Sequence, residues 1–125
     1  MPRSSATQHE LNRVGILAGL PGETLARLAK RMEREEVAPG TVIVREGEPG
    51  DRFYVVFSGM LSVSQAGYGS RNVLRPGDYF GEVALAMDVP RTATVAAITP
   101  AVIASCDRET FDALLRPLFA DDSDD

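Results

Sequence analysis

The 125-residue sequence contains no tryptophan, one cysteine and one histidine, and it lacks any excess of positive charge, with a formal net charge of −5. Each shortage excludes something. The lone Cys106 rules out an internal disulfide and fits a reducing compartment, so a cytoplasmic location is expected. The one imidazole, His9, stands in the polar N-terminal stretch, whereas a metal site on a β-roll would need several such ligands. An acidic chain is a poor partner for nucleic acid, whose binding relies on neutralising phosphates. No apolar run approaches eighteen residues, so no direct membrane insertion is expected. The opening "MPRSSATQHE" also lacks the apolar centre of a secretory signal. Catalytic signatures are missing too: there is no nucleophile elbow and no G-x-x-x-x-G-K-(S/T) loop, and an enzyme is not expected.

What is present is ordinary for a globular chain, with 44% hydrophobic and 25% charged residues. The length suits one domain with a real core. Residues 1–9 read as a disordered tail, 10–116 as the folded domain, and 117–125, ending in "ADDSDD", as an acidic solvated tail. From Glu10 to Arg34, apolar residues recur at helical spacing, interrupted by "GLPGET", which predicts two short helices. After "APG" the pattern changes. "TVIVREG", "DRFYVVFSG", "MLSVSQ", "TATVAAI" and "AVIASC" are β-branched, aromatic or alternating, with glycines punctuating them. The final "DRETFDALLRPLF" has Asp107 as an N-cap and Phe111, Leu114 and Leu115 on one face. Short strands with Gly-rich turns, bracketed by helices, predict a mainly β fold: a jelly-roll-like β-barrel with flanking N- and C-terminal helices.

One stretch fits none of these elements. "YFGEVALAMDVPRTATV", Tyr79 to Val95, steps through Gly-Glu into helix formers, breaks at Pro90, and continues with an arginine. The start of a helix exposes unpaired N–H groups that favour anions. Gly81, without a Cβ, allows a ligand close to the backbone. Glu82 would repel a phosphate at the same point, so its carboxylate serves a different part of the ligand, and sugar hydroxyls are natural donors to it. Arg91 returns after the break with a planar fork that matches phosphate oxygens. Taken singly, Glu82 reads equally well as a helix-terminal charge and Arg91 as half of a surface ion pair. Together with Gly81 they describe a ligand with ribose hydroxyl and phosphate close together, and a cyclic nucleotide fits.

"FGEVALAMDVPRTATV" resembles the phosphate-binding cassette of cyclic nucleotide-binding domains of the catabolite-activator and protein-kinase-A regulatory-subunit type, F-G-E-hydrophobic-A-L, a spacer, then P-R-(S/T/A)-A-(T/S)-V. The resemblance extends from about Leu11 to Leu115 through "PGTVIVREGEPGDRFYVVFSGMLSVS", "LRPGDYFGE" and "CDRETFDALL". It implies that Gly81 and Glu82 hold the ribose 2′-hydroxyl and Arg91 the cyclic phosphate. It also implies that backbone amides around Val83, Ala84 and Thr92 assist, and that Val63 and Leu74 pack the base. The ligand implied is cAMP or cGMP, with no separate cofactor. A hydroxyl at Thr92 accompanies cGMP in the family, yet members with one there also take cAMP. Most members cover the base with a further helix. Here "LLRPLFADDSDD" is expected to break at Pro117, leaving the lid short, absent, supplied by a partner, or cut away with the rest of a larger protein. The chain therefore reads as a sensor controlling an effector domain or protein that the sequence does not identify. The alternative is a degenerate copy of the fold that serves as a nucleotide-independent interaction module.

Overall fold

A computed structural model describes residues 5–67 and 69–119. Three short helices open it: α1 (Gln8–Asn12), α2 (Gly15–Ala18) and α3 (Gly22–Arg31). Residues 5–9 are not the tail that the sequence predicts. Thr7 caps α1 through a reciprocal box, its Oγ1 accepting from Glu10 N–H while Glu10 Oε1 accepts from Thr7 N–H, both at 3.0 Å. Ala6 is buried and its N–H donates to Met32 O. The first predicted helix is two helices, parted at Arg13–Val14, because the buried Leu11, Val14 and Leu17 meet the core only if the chain turns there.

Eight strands follow in two antiparallel four-stranded sheets. β1 (Glu33–Val37), β8 (Ala101–Asp107), β3 (Arg52–Ser58) and β6 (Tyr79–Phe80) form one, in that order. β2 (Val42–Val44), β7 (Thr94–Ala97), β4 (Leu61–Gln65) and β5 (Gly69–Leu74) form the other. This is the jelly-roll arrangement with flanking helices. β1, "EREEV", looks helical by composition. It is an edge strand instead, paired to β8 from Glu33↔Ser105 to Val37↔Ala101, with its charges outward and Val37 turned into the core.

The period of two along β3 and β8 sorts their side chains between two apolar clusters. Phe53, Val55, Ala104 and Cys106 face the helices, while Val56, Ala101 and Ile103 face the other sheet. A sheet covered on both faces accounts for the unbroken apolar run "AVIASC". Burial also pushes the Cys106 thiol up to about 12, so it stays protonated and inert.

After β8 the chain enters α5 (Arg108–Thr110), a π turn (Phe111–Leu115) and α6 (Arg116–Phe119). The helix does not break at Pro117. In the π turn Arg116 N–H donates five residues back, to Phe111 O, and this widened backbone accommodates the proline ring. Residue 117 therefore belongs to the fold and not to a tail, and Phe119 packs on Phe53, Tyr79 and Phe111 with ring centroids 5.4–5.7 Å apart. Residues 1–4 and the acidic stretch 120–125 lie outside the described residues.

Asp107 caps this segment, its Oδ1 accepting from Thr110 N–H at 2.9 Å. That bond holds the Asp107 carboxyl below the usual carboxylate range. The stabilisation is present above the ordinary aspartate pKa and is lost as pH falls through the depressed one. Asp107→Ala should cost about 0.5–2 kcal/mol in urea unfolding at neutral pH, and the difference from the parent should shrink in acid.

Candidate ligand-binding site

β6 ends at Phe80, and the chain must turn sharply to start α4 (Glu82–Ala86). Gly81 makes the turn at φ 94°, and a Cβ there would stand 2.8 Å from Arg52 O and 2.9 Å from Arg91 Nη1. Both the dihedral and the space demand glycine. Two residues anchor α4: Leu85, fully buried in the helix-side cluster, and Ala84, 3% exposed. Its far end is held by arginines from the C-terminal segment. Arg116 Nη2 and Nη1 donate to Leu85 O and Ala86 O, and Arg108 Nη1 reaches Leu85 O at 3.5 Å while its Nη2 donates to Gly50 O in the β2–β3 loop.

Arg91 is only 7% exposed. Its backbone is fixed to the β2–β3 loop, with Arg91 N–H donating to Glu48 O and Gly47 N–H donating to Arg91 O. Its guanidinium donates to Gly81 O at 3.2 Å and to Arg52 O at 3.0 Å, and lies 5.7 Å from the centre of the Tyr54 ring. Tyr54 in turn stacks on Phe80 at 4.7 Å. Among the described residues no carboxylate pairs with Arg91. Burial lowers its pKa from the ordinary value, with Tyr54 and Asp51 opposing. A buried cation bonded to carbonyls, with Asp51 and Glu82 near it but no carboxylate among the described residues paired to it, is an incomplete charge arrangement. Guanidinium carries five donors, and two are engaged.

Glu82 faces the same space. Burial raises its pKa, against its backbone hydrogen bond and the nearby Arg91.

A cavity of about 220 Å³ opens beside these groups. All eight residues singled out from the sequence line it: Gly81, Glu82, Val83, Ala84, Arg91 and Thr92 from the cassette, Val63 from β4 and Leu74 from β5. Sequence reasoning missed Val44 and Val95 on its apolar wall, Tyr79 and Phe80 from β6, and Asn72, the cross-strand partner of Val63. Period-two alternation in "TATVAAI" could have pointed to Val95. Nothing local marks Asn72. Gly50 is one of the glycines that punctuate the strands, but an added Cβ would meet Arg91 Nε at 2.5 Å and Ala84 Cβ at 2.8 Å. Gly50 shapes the seat of the guanidinium. Val83, which lines the cavity, is exposed, as are Met87, to 68%, and Val89 just after α4.

A jelly roll whose helix-bearing turn seats an unpaired arginine beside a carboxylate is a small-anion-binding domain in its construction. The chain belongs to the cyclic nucleotide-binding domain family. The family model described as "Cyclic nucleotide-binding domain" matches residues 34–117, well over half the sequence. The chain is 43% identical over 109 residues to a cAMP-dependent protein kinase regulatory subunit of Yarrowia lipolytica, covering 86% of this chain and 29% of that protein. It is 36% identical over 124 residues to the cGMP-dependent protein kinase egl-4 of Caenorhabditis briggsae, covering 94% of this chain and 17% of that one. The regulatory domain of Toxoplasma gondii PKA, solved with cAMP, superposes with a TM-score of 0.85 at 32% identity, over 90% of this chain and 45% of the other. The chain thus spans less than a third of the length of these two relatives. Among the described residues no helix is long and apolar enough to cross a membrane.

Proposed function

We propose that this chain binds cAMP or cGMP in the cavity beside α4 and transmits occupancy to an effector in the same or a partner protein. The observation that carries this reading is the buried Arg91, which has no carboxylate partner among the described residues. A cyclic phosphate supplies the missing anion, bridging the free edge of the guanidinium and the backbone amides near Ala84 and Thr92. Glu82 and Gly81 receive the ribose 2′-hydroxyl. Val63 and Leu74, with Val44 and Val95, offer the base an apolar wall. The names of the relatives favour a protein kinase as the effector, and the family model a binding role with no catalytic step. The intact Arg91 and Glu82 speak against a nucleotide-independent module.

Calorimetric titration with each nucleotide tests the reading. cAMP and cGMP should compete for one site. Their affinities should differ by no more than about tenfold, since the Thr92 hydroxyl adds one hydrogen bond, about 1 kcal/mol. Absence of saturable binding by both overturns the proposal.

Glu82 gives a sharper test. Only its ionised form accepts from a hydroxyl without also offering a donor. Affinity for cAMP should therefore fall as pH drops through the raised Glu82 pKa, and 2′-deoxy-cAMP should bind more weakly and with a flatter profile. The ligand-free protein should behave in the opposite sense. A carboxyl whose folded pKa is raised stabilises the fold below its unfolded pKa, and that contribution is lost as pH rises through the folded value. Glu82→Gln should accordingly raise the melting temperature at neutral pH while narrowing the gap between cAMP and its 2′-deoxy analogue. Equal wild-type affinity for the two nucleotides would show that Glu82 does not contact ribose.

A further inference from the structure

Arg116 lies outside the cassette and does not line the cavity, yet its guanidinium makes four hydrogen bonds. Its Nη2 donates to Leu85 O at 3.1 Å and its Nη1 to Ala86 O at 3.3 Å. Asp112 Oδ1 accepts from Arg116 Nε at 3.0 Å and from Nη2 at 2.7 Å, which aims the group. The plane also lies 5.7 Å from the centre of the Phe111 ring.

The carbonyls it takes are the ones α4 cannot satisfy itself. Val83 O accepts from Met87 N–H and Ala84 O accepts from Val89 N–H. Leu85 O and Ala86 O have arginine donors in their place, Arg108 reaching Leu85 O only at 3.5 Å. A helix of five residues has too few internal bonds to hold itself, so its shape depends on what grips its end. A cation there also suits the local dipole. The gripped element leads directly to the ligand site: Ala84 packs against Gly50, and Gly50 packs against the Arg91 guanidinium.

We propose that Arg116 is a positioning residue for nucleotide binding. It holds the carboxyl end of α4 so that Ala84, Gly50 and Arg91 stay in register for the phosphate. The inference rests on the cyclic-nucleotide reading of the cavity. By thermodynamic reciprocity, bound nucleotide also strengthens the grip of Arg116 on α4, so ligand tightens the π turn and α6 against the cassette.

The test uses the full chain with Arg116→Ala, Arg116→Lys and Asp112→Ala, and Asp107→Ala as a control that weakens the start of the same segment without touching α4. cAMP dissociation constants are measured together with amide exchange of ligand-free protein at Met87 and Val89. Arg116→Ala should weaken cAMP about tenfold and speed exchange at both amides. Arg116→Lys should recover part of the affinity, because an ammonium reaches one carbonyl but not two. Asp112→Ala should fall between parent and Arg116→Ala. Asp107→Ala should lower the melting temperature while cAMP affinity stays within about twofold. Affinity of Arg116→Ala within about twofold of parent, or a loss no greater than that of Asp107→Ala, overturns the proposal. Should the parent bind neither nucleotide, the functional reading fails, and exchange at Met87 and Val89 still decides: unchanged rates in Arg116→Ala overturn the role of Arg116.

Discussion

Arg91→Ala is expected to weaken cAMP binding by roughly 2–5 kcal/mol, the range for removing one partner of a buried, hydrogen-bonded charge pair. That is about 30-fold or more in dissociation constant. The size follows from the environment of the guanidinium. Arg91 is 7% exposed, and its guanidinium is bonded to two carbonyls and, among the described residues, paired with no carboxylate. A phosphate lost from such a site loses both its counter-charge and a pre-oriented pair of donors. Arg91→Lys should fail nearly as badly. An ammonium keeps the charge but cannot bond Gly81 O and Arg52 O while presenting a flat edge to the ligand. Titration of both variants with cAMP and with cGMP checks this. Affinities within threefold of wild type in both would remove Arg91 from the phosphate site.

Gly50→Ala should approach that loss without touching any charge. The added Cβ would stand 2.5 Å from Arg91 Nε, 2.6 Å from Arg91 Cζ and 2.8 Å from Ala84 Cβ. A surface arginine would swing away at little cost. This one is buried and bonded at both amino groups, and Ala84 can yield only if α4 moves with it. Overpacking of this kind costs about 1–3 kcal/mol of stability, and the shift falls on the two elements that form the phosphate seat. We expect a lower melting temperature and at least about a tenfold loss of cAMP affinity. The two substitutions should not add. Once Arg91 is alanine, the methyl group has no guanidinium to displace, so Gly50→Ala should cost little further affinity in that background. Full additivity in a double-mutant cycle would mean that Gly50 does not act through Arg91.

The contrast between Gly50 and Gly81 shows where sequence reasoning reaches and where it stops. Gly81 is marked by its neighbours, since a glycine just before a carboxylate and a helix start has a local meaning. The partner of Gly50 is Arg91, forty-one positions on, and no spacing rule links them. β1 eluded composition for a similar reason. "EREEV" is a run of good helix formers, and only pairing with β8 and the inward turn of Val37 make it a strand. At Pro117 a sound local rule was overridden by a π turn, which opens the backbone ahead of the ring. Residues 5–9 became ordered because Glu10 bonds both Thr7 and Arg34, and the second bond spans twenty-four positions.

Properties with a short physical range were determined by the amino-acid order alone. These are the strand segments, the Asp107 cap, the Gly-Glu helix start and the chemistry of a carboxylate and a guanidinium set nine residues apart. Such features depend on backbone dihedrals and on side chains that meet within a turn or two, so one stretch of chain suffices to express them. Tertiary structure alone decided that Arg91 is buried with no carboxylate among the described residues paired to it, that Gly50 leaves room for it, and that Arg116 closes the far end of α4. Desolvation and close packing depend on what the rest of the molecule brings to a point, and a chain folded into two facing sheets brings together residues that its order keeps apart.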